Sequence, residues 1–199
     1  QAQKAIDKLV KTASNLSTGL YAANKEVYHL LRYGITVREE LGQPKETIWL
    51  IDWKDLESNQ FAVAEEVTVQ GRHTKRPDVV IYINGIALGV LELKRSKVGV
   101  EQGIRQNLDN QKDEFIPKFF TTMQFVLAGN DTQGMRYGTI ETPEKYFLTW
   151  KEESDKEFDY VLDKHISLLC EKNKFLELIH DFVVYDKGVK KLCRPNQYF

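Results

Sequence analysis

Apolar positions at the start of the chain recur at helical spacing. Ile6, Leu9 and Val10 mark one stripe, and Val27, Leu30 and Leu31 another. A polar break from Ser14 to Gly19 separates them and Gly34 stops the second, so residues 1–33 read as two helices. From Ile35 to about Lys94 the period changes to two. Ile48–Ile51 has strand length, and Phe61–Val69 alternates loosely, with Val67 and Val69 on one side. Val79–Ile83, then Asn84-Gly85, then Ile86–Lys94 is the clearest segment: two β-rich runs flanking the strongest short-range hairpin signal. A polar helix is expected near Gly99 to Phe115, a strand at Gln124–Ala128, a loop at Gly129–Gly134 and a short helix at Pro143–Trp150. Beyond this the pattern turns helical. Ser154 with Glu157 reads as a capping box ahead of Phe158, Val161, Leu162, Ile166 and Leu169, and a second helix covers Phe175 to Val183. The basic tail, Lys190 to Phe199, ends without an expected closing element, as in a fragment of a longer chain.

Composition narrows the class. At 199 residues and 42% hydrophobic, the chain can bury a sizeable core and is not disordered. With 28 Lys+Arg against 29 Asp+Glu, the overall field will not hold the protein on DNA, so any nucleic-acid contact needs a local patch. Cys170 and Cys193 form neither a CxxC pair nor a disulfide framework. No stretch approaches the apolar length of a membrane span, and the amino end does not read as a signal peptide. A cytoplasmic location with no membrane partner is expected. His29, His73, His165 and His180 show no ligand spacing, and Tyr28, Tyr33, Trp49 and Trp53 read as core.

The chemistry lies at the hairpin's open end, where Pro77-Asp78 meets Glu92-Leu93-Lys94. Carboxylate oxygens suit Mg²⁺ or Mn²⁺, which activate water and stabilise the charge that develops on a phosphodiester. A lysine two residues beyond the glutamate shares its face and reaches the attacking water or the phosphate. The alternative is an ordinary hairpin with polar ends. Register discriminates between the two. A plain two-residue Asn84-Gly85 turn sets Asp78 opposite Leu91, on the wrong face, because one residue of slip flips every side chain. The three groups meet only with an odd offset. A three-residue Ile83-Asn84-Gly85 loop with a bulge at Gly85 is therefore expected, sending Val79, Ile81, Leu91 and Leu93 into the core.

Arg76 to Lys94 resembles the PD-(D/E)xK nuclease motif of the restriction (R) subunit of type I restriction–modification enzymes. The likeness extends to Leu50–Trp53, Asn59–Phe61, Ile116–Phe120, Arg136–Gly138 and Glu144–Trp150. Arg194–Phe199 resembles the junction where that family's ATP-driven motor begins, and no GxxxxGK[ST] loop occurs in the chain. The resemblance implies an α/β fold with a restriction-endonuclease-like mixed central sheet flanked by helices and a helical C-terminal segment. Residues 1–150 would be the endonuclease domain, and 151–199 a helical segment leading to an absent motor. It implies a metal-dependent endonuclease cutting double-stranded DNA, with Asp78 and Glu92 as ligands aided by the Leu93 carbonyl, and Lys94 catalytic. ATP would serve only the motor of the full-length protein, which works with methylation and specificity subunits. Glu26 is the candidate for a further ligand from the first helices. A family glutamine maps to Gln106, while the tyrosine four residues on is Asn110 here; Gln102, Gln106 and Asn110 would form a polar stripe facing DNA. Arg72, His73, Lys75 and Arg76 before the aspartate, and Arg95 and Lys97 after the lysine, are candidate phosphate contacts. A catalytically silent docking or DNA-binding module and a free-standing repair or recombination nuclease are the rival readings.

Overall fold

A computed structural model of the chain describes residues 1–38 and 44–199. Two helices open it as the spacing predicts, α1 (Ala2–Ala13) and α2 (Leu20–Tyr33), the second ended by Gly34 at φ 73°. A two-stranded ribbon, β1 (Ile35–Val37) and β2 (Glu46–Ile48), packs on α1 through Ile35, Val37 and Ala5. The expected strand at Ile48–Ile51 is thus paired only at its first residue, and Ile51 is buried from a turn. The central mixed sheet has the order β3 (Phe61–Glu65), β4 (Val79–Ile83), β5 (Ile86–Leu93), β6 (Phe125–Asn130), β7 (Gly134–Gly138). Only β5 and β6 run parallel, joined over one face by α3 (Val100–Asn110). Strand β6 is buried at all six residues because both faces of the sheet are covered.

Those two faces have different partners. Val80, Val90, Val126 and Ala128 pack against Val100 and Ile104 of α3, with Ile116 and Phe120 behind. On the other face, Ile83, Leu91, Phe125 and Leu127 meet α2, α4 (Val161–Leu169) and α5 (Lys172–Asp181) through Val27, Leu162, Leu169 and Phe175. The protein is therefore mixed α/β with flanking helices and a helical segment towards the C-terminus, as its sequence predicts. Among the described residues no helix is long and apolar enough to cross a membrane.

Several local expectations fail for physical reasons. Pro143–Trp150 makes only a single tight turn, Glu144–Tyr146, because Leu148 is drawn into extended pairing with Tyr137. Ser154 Oγ accepts only the Lys156 amide, and α4 starts at Val161, so no capping box forms. Helix α5 is capped instead by the Glu171 carboxylate, which accepts from the Asn173 and Lys174 amides. It ends before Val183, where β-branched residues and a Lys187-Gly188 turn at positive φ form a hairpin, β8 (Val183–Asp186) and β9 (Val189–Leu192). Strand β7, which no apolar run marks, lies between two glycines, Gly134 and Gly138. The tail closes as α6 (Pro195–Tyr198), with Tyr198 edge-on and Phe199 tilted against the buried Trp150. Tyr28 is buried as expected, and Trp53 packs on the core, its indole N–H bonded to the Leu31 carbonyl; Tyr33 and Trp49 are exposed.

Candidate active site

The β4–β5 turn takes two residues, not three. Asn84 and Gly85 both sit at positive φ, 50° and 77°, and Ile83 faces Ile86. The Asn84 side chain fixes this turn: its Nδ2 donates to the Leu50 carbonyl and Asn59 Oδ1, and its Oδ1 accepts the Gln60 amide. The required offset comes from inside the strand. Tyr82 faces Ala87 but Ile81 faces Gly89, which leaves Leu88 as an extra residue. Leu88 is fully buried in the α4–α5 face, and a Cβ on Gly89 would meet Phe175 and Ile81, at 3.2 and 3.3 Å, on that same face. Two successive residues thus point one way, and everything after them is inverted. Val90 and Glu92 turn toward α3 and join Val80's side of the sheet, which is also Asp78's. Val79 and Ile81 are half-buried and Leu91 is buried on the opposite face, as expected, whereas Leu93 is exposed at the strand's end.

Asp78, Glu92 and Lys94 therefore meet. Asp78 Oδ2 accepts the Leu93 amide at 2.7 Å, and Lys94 Nζ donates to Glu92 Oε1 and to Gln106 Oε1, both at 2.8 Å. Gln106, expected on a DNA-facing stripe, instead reaches Lys94 from α3. The helix lies close because Gly103 has no side chain; a Cβ there would stand 3.1 Å from Ala128 Cβ and 3.5 Å from Glu92 Cγ. Glu92 is only 2% exposed. Burial raises its pKa to about 7; the bond and charge of Lys94 oppose the rise, and the neighbouring Asp78 charge adds to it.

Four carboxylate oxygens face this spot, of which two are engaged. Glu92 Oε2 is buried with no hydrogen-bond partner, and Asp78 Oδ1 accepts from no backbone or basic donor among the described residues. A buried, orphaned carboxylate oxygen beside a second free one is a donor set that a hard cation satisfies, so the residues fit Mg²⁺ or Mn²⁺. Asp78, Glu92 and the Leu93 carbonyl would hold it. Among the described residues no group of three or more His, Cys, Asp and Glu side chains is arranged to hold a metal.

Glu26 does not belong with this set. It lies on the exposed side of α2, whose Asn24 donates to the carbonyls of Phe120, Thr121 and Met123, at the entry of β6. That entry is level with Leu88, since Gln124 donates to the Leu88 carbonyl. Four residues of strand, about 13 Å, separate it from Glu92. The polar stripe is open at Gln102 and half-open at Gln106 but closes at Asn110, which is 2% exposed with an unpaired Oδ1. Arg72, His73 and Lys75 lie on a ribbon that prolongs the β3–β4 pairing, with Val69 opposite Lys75 and the Glu66 amide bonded to the Asp78 carbonyl. Its tip presses on Phe115: Arg72 N donates to the Phe115 carbonyl, and Lys75 Nζ sits 4.0 Å from the Phe115 ring centre. Arg76 pairs with Glu66 at 3.2 Å, both largely exposed, an interaction weak enough to exchange for a phosphate. Arg95 and Lys97 are exposed just beyond Lys94.

Two carboxylates and a lysine at the open end of a bulged hairpin, on a mixed sheet, make up the residue pattern of a PD-(D/E)xK nuclease centre. A family model described as the N terminus of the type I restriction enzyme R protein matches residues 1–145, and the chain belongs to that family. Among curated relatives, the type I restriction enzyme HindI endonuclease subunit of Haemophilus influenzae is 27% identical over 216 residues, covering 99% of this chain and 20% of that protein. The putative MjaVIIIP endonuclease subunit of Methanocaldococcus jannaschii is 26% identical, covering 99% of this chain and 19% of its own length. The EcoprrI endonuclease subunit of Escherichia coli is 24% identical over 76% of the chain and 50% of that protein. The chain thus spans about a fifth of the length of the first two relatives.

Proposed function

We propose that this chain is the divalent-metal-dependent endonuclease domain of a type I restriction R subunit, hydrolysing phosphodiesters of double-stranded DNA. The observation that carries the reading is the Leu88 bulge, which places Asp78, Glu92 and Lys94 together on the α3 face. A bound Mg²⁺ would supply charge stabilisation at the scissile phosphate and lower the pKa of a bound water. Asp78 and Glu92 bind and orient; the Leu93 amide fixes Asp78, and Gln106 fixes Lys94. The ammonium of Lys94 has three protons, two of them used here, and the third is free for a phosphate oxygen or the attacking water. Lys75, Arg76 and Arg95 are the proposed backbone contacts, and such a site needs no base readout of its own. ATP-driven translocation and choice of DNA target would belong to the motor and to the methylation and specificity subunits of the complete enzyme, in the cytoplasm.

The test is restriction by the full-length subunit, in complex, carrying Lys94→Ala. The expected outcome is loss of double-strand cleavage by at least a hundredfold, with assembly and ATP hydrolysis retained. Cleavage at the unaltered rate would refute the assignment and leave a silent docking module as the reading.

A further inference from the structure

We infer that the centre takes a single divalent cation, with the Lys94 ammonium, held by Gln106, occupying the place a second cation would need. This rests on the nuclease reading above and concerns how its oxygens are shared. Each carboxylate arrives with one oxygen already engaged. Asp78 Oδ2 is bound by the Leu93 amide at 2.7 Å, a backbone contact fixed by the strand itself. Glu92 Oε1 is bound by Lys94 Nζ at 2.8 Å, and the same nitrogen is anchored on its other side by Gln106 Oε1 at 2.8 Å. What remains is one oxygen from each residue, Asp78 Oδ1 and the buried, unpartnered Glu92 Oε2.

Two anionic oxygens and a neighbouring carbonyl suffice for one hard cation that keeps water and phosphate in its shell. A second ion on Glu92 Oε1 would have to share that oxygen with the Lys94 ammonium it already accepts from. It would also stand within a few ångströms of a fixed positive charge in a poorly solvated site, where like-charge repulsion is strong. Among the described residues no third carboxylate or imidazole joins the two to offer a separate foothold. The lysine side chain is only 18% exposed and doubly bonded, so it is a built part of the centre and not a mobile surface cation.

The experiment is a Mn²⁺ titration of the 199-residue chain at pH 8, followed by calorimetry and by electron paramagnetic resonance, which registers paired Mn²⁺ ions by their mutual coupling. It compares the wild type with Asp78→Asn, Glu92→Gln and Lys94→Met, each checked for folding by circular dichroism. One uncoupled Mn²⁺ per wild-type chain is expected, lost in both carboxylate variants. Lys94→Met removes the charge and frees Oε1, and should bind Mn²⁺ at least tenfold more tightly or admit a second, coupled ion. Two coupled ions in the wild type, lost with either carboxylate, would overturn the single-ion inference and leave the nuclease reading standing. Unchanged affinity and stoichiometry in a folded Lys94→Met variant would overturn it as well. No saturable binding by the wild type, or binding that survives both carboxylate changes, would remove the metal site and both readings with it.

Discussion

Replacing Glu92 by Gln should stabilise the metal-free protein while abolishing its chemistry, and the stabilisation should depend on pH in a defined way. The native state holds a proton on Glu92 up to a pH of about 7, against an ordinary 4.5, because burial penalises the carboxylate. Between those values the folded chain binds more protons than the unfolded one, so raising the pH costs native stability. The gap corresponds to roughly 3 kcal/mol, reached above pH 7 and absent below pH 4.5. Gln keeps the shape and an acceptor for Lys94 but has nothing to ionise. In urea unfolding with a chelator present, the variant should therefore match the wild type near pH 4.5. It should exceed it by about 3 kcal/mol at pH 8, or roughly 6–12 °C in Tm for a chain of this size. Saturating Mn²⁺ should reverse the order, since only the wild type gains stability from binding. A difference that stays constant from pH 4.5 to 8, or shrinks as pH rises, would refute the claim that Glu92 is buried at a cost in the resting site.

Two further outcomes follow from the same geometry. Deleting Leu88 removes the bulge and turns Glu92 and Lys94 onto the face packed by Leu162 and Phe175, burying charge among apolar groups at a cost of several kcal/mol; the chain should fail to fold by circular dichroism, and a folded deletion variant that still binds Mn²⁺ would contradict the register argument. Lys75→Ala and Arg95→Ala should each weaken binding of a short duplex in Ca²⁺ regardless of its sequence and lower the slope of log K against log salt by about one; an unaltered slope would take that residue off the phosphate path.

Much of this protein was legible along the chain. The two opening helices follow from apolar spacing, because burying a face imposes its period on the residues that cover it, and the hairpin follows from Asn84-Gly85 between β-rich runs. The Asp78, Glu92 and Lys94 set was legible too, along with the need for an odd offset between the strands. Where that offset sits was not. Asn-Gly flanked by β-rich runs favours a two-residue turn locally, and here the contacts of Asn84 with Leu50, Asn59 and Gln60 hold it to that form. The extra residue is displaced to Leu88, where the α4–α5 face has room for two successive positions only because Gly89 carries no side chain against Phe175. Glu26 falls away from the site for the same kind of reason, since helical spacing gives a face but not the end of the sheet that the face will meet. Asn110 shares a helix stripe with Gln106, yet the approach of α3 to the sheet buries one and leaves the other at Lys94. Sequence determined which groups are the candidates for the chemistry and which stripes must be buried; only packing across the sheet decided which of them meet, because close approach depends on side chains far apart in the chain.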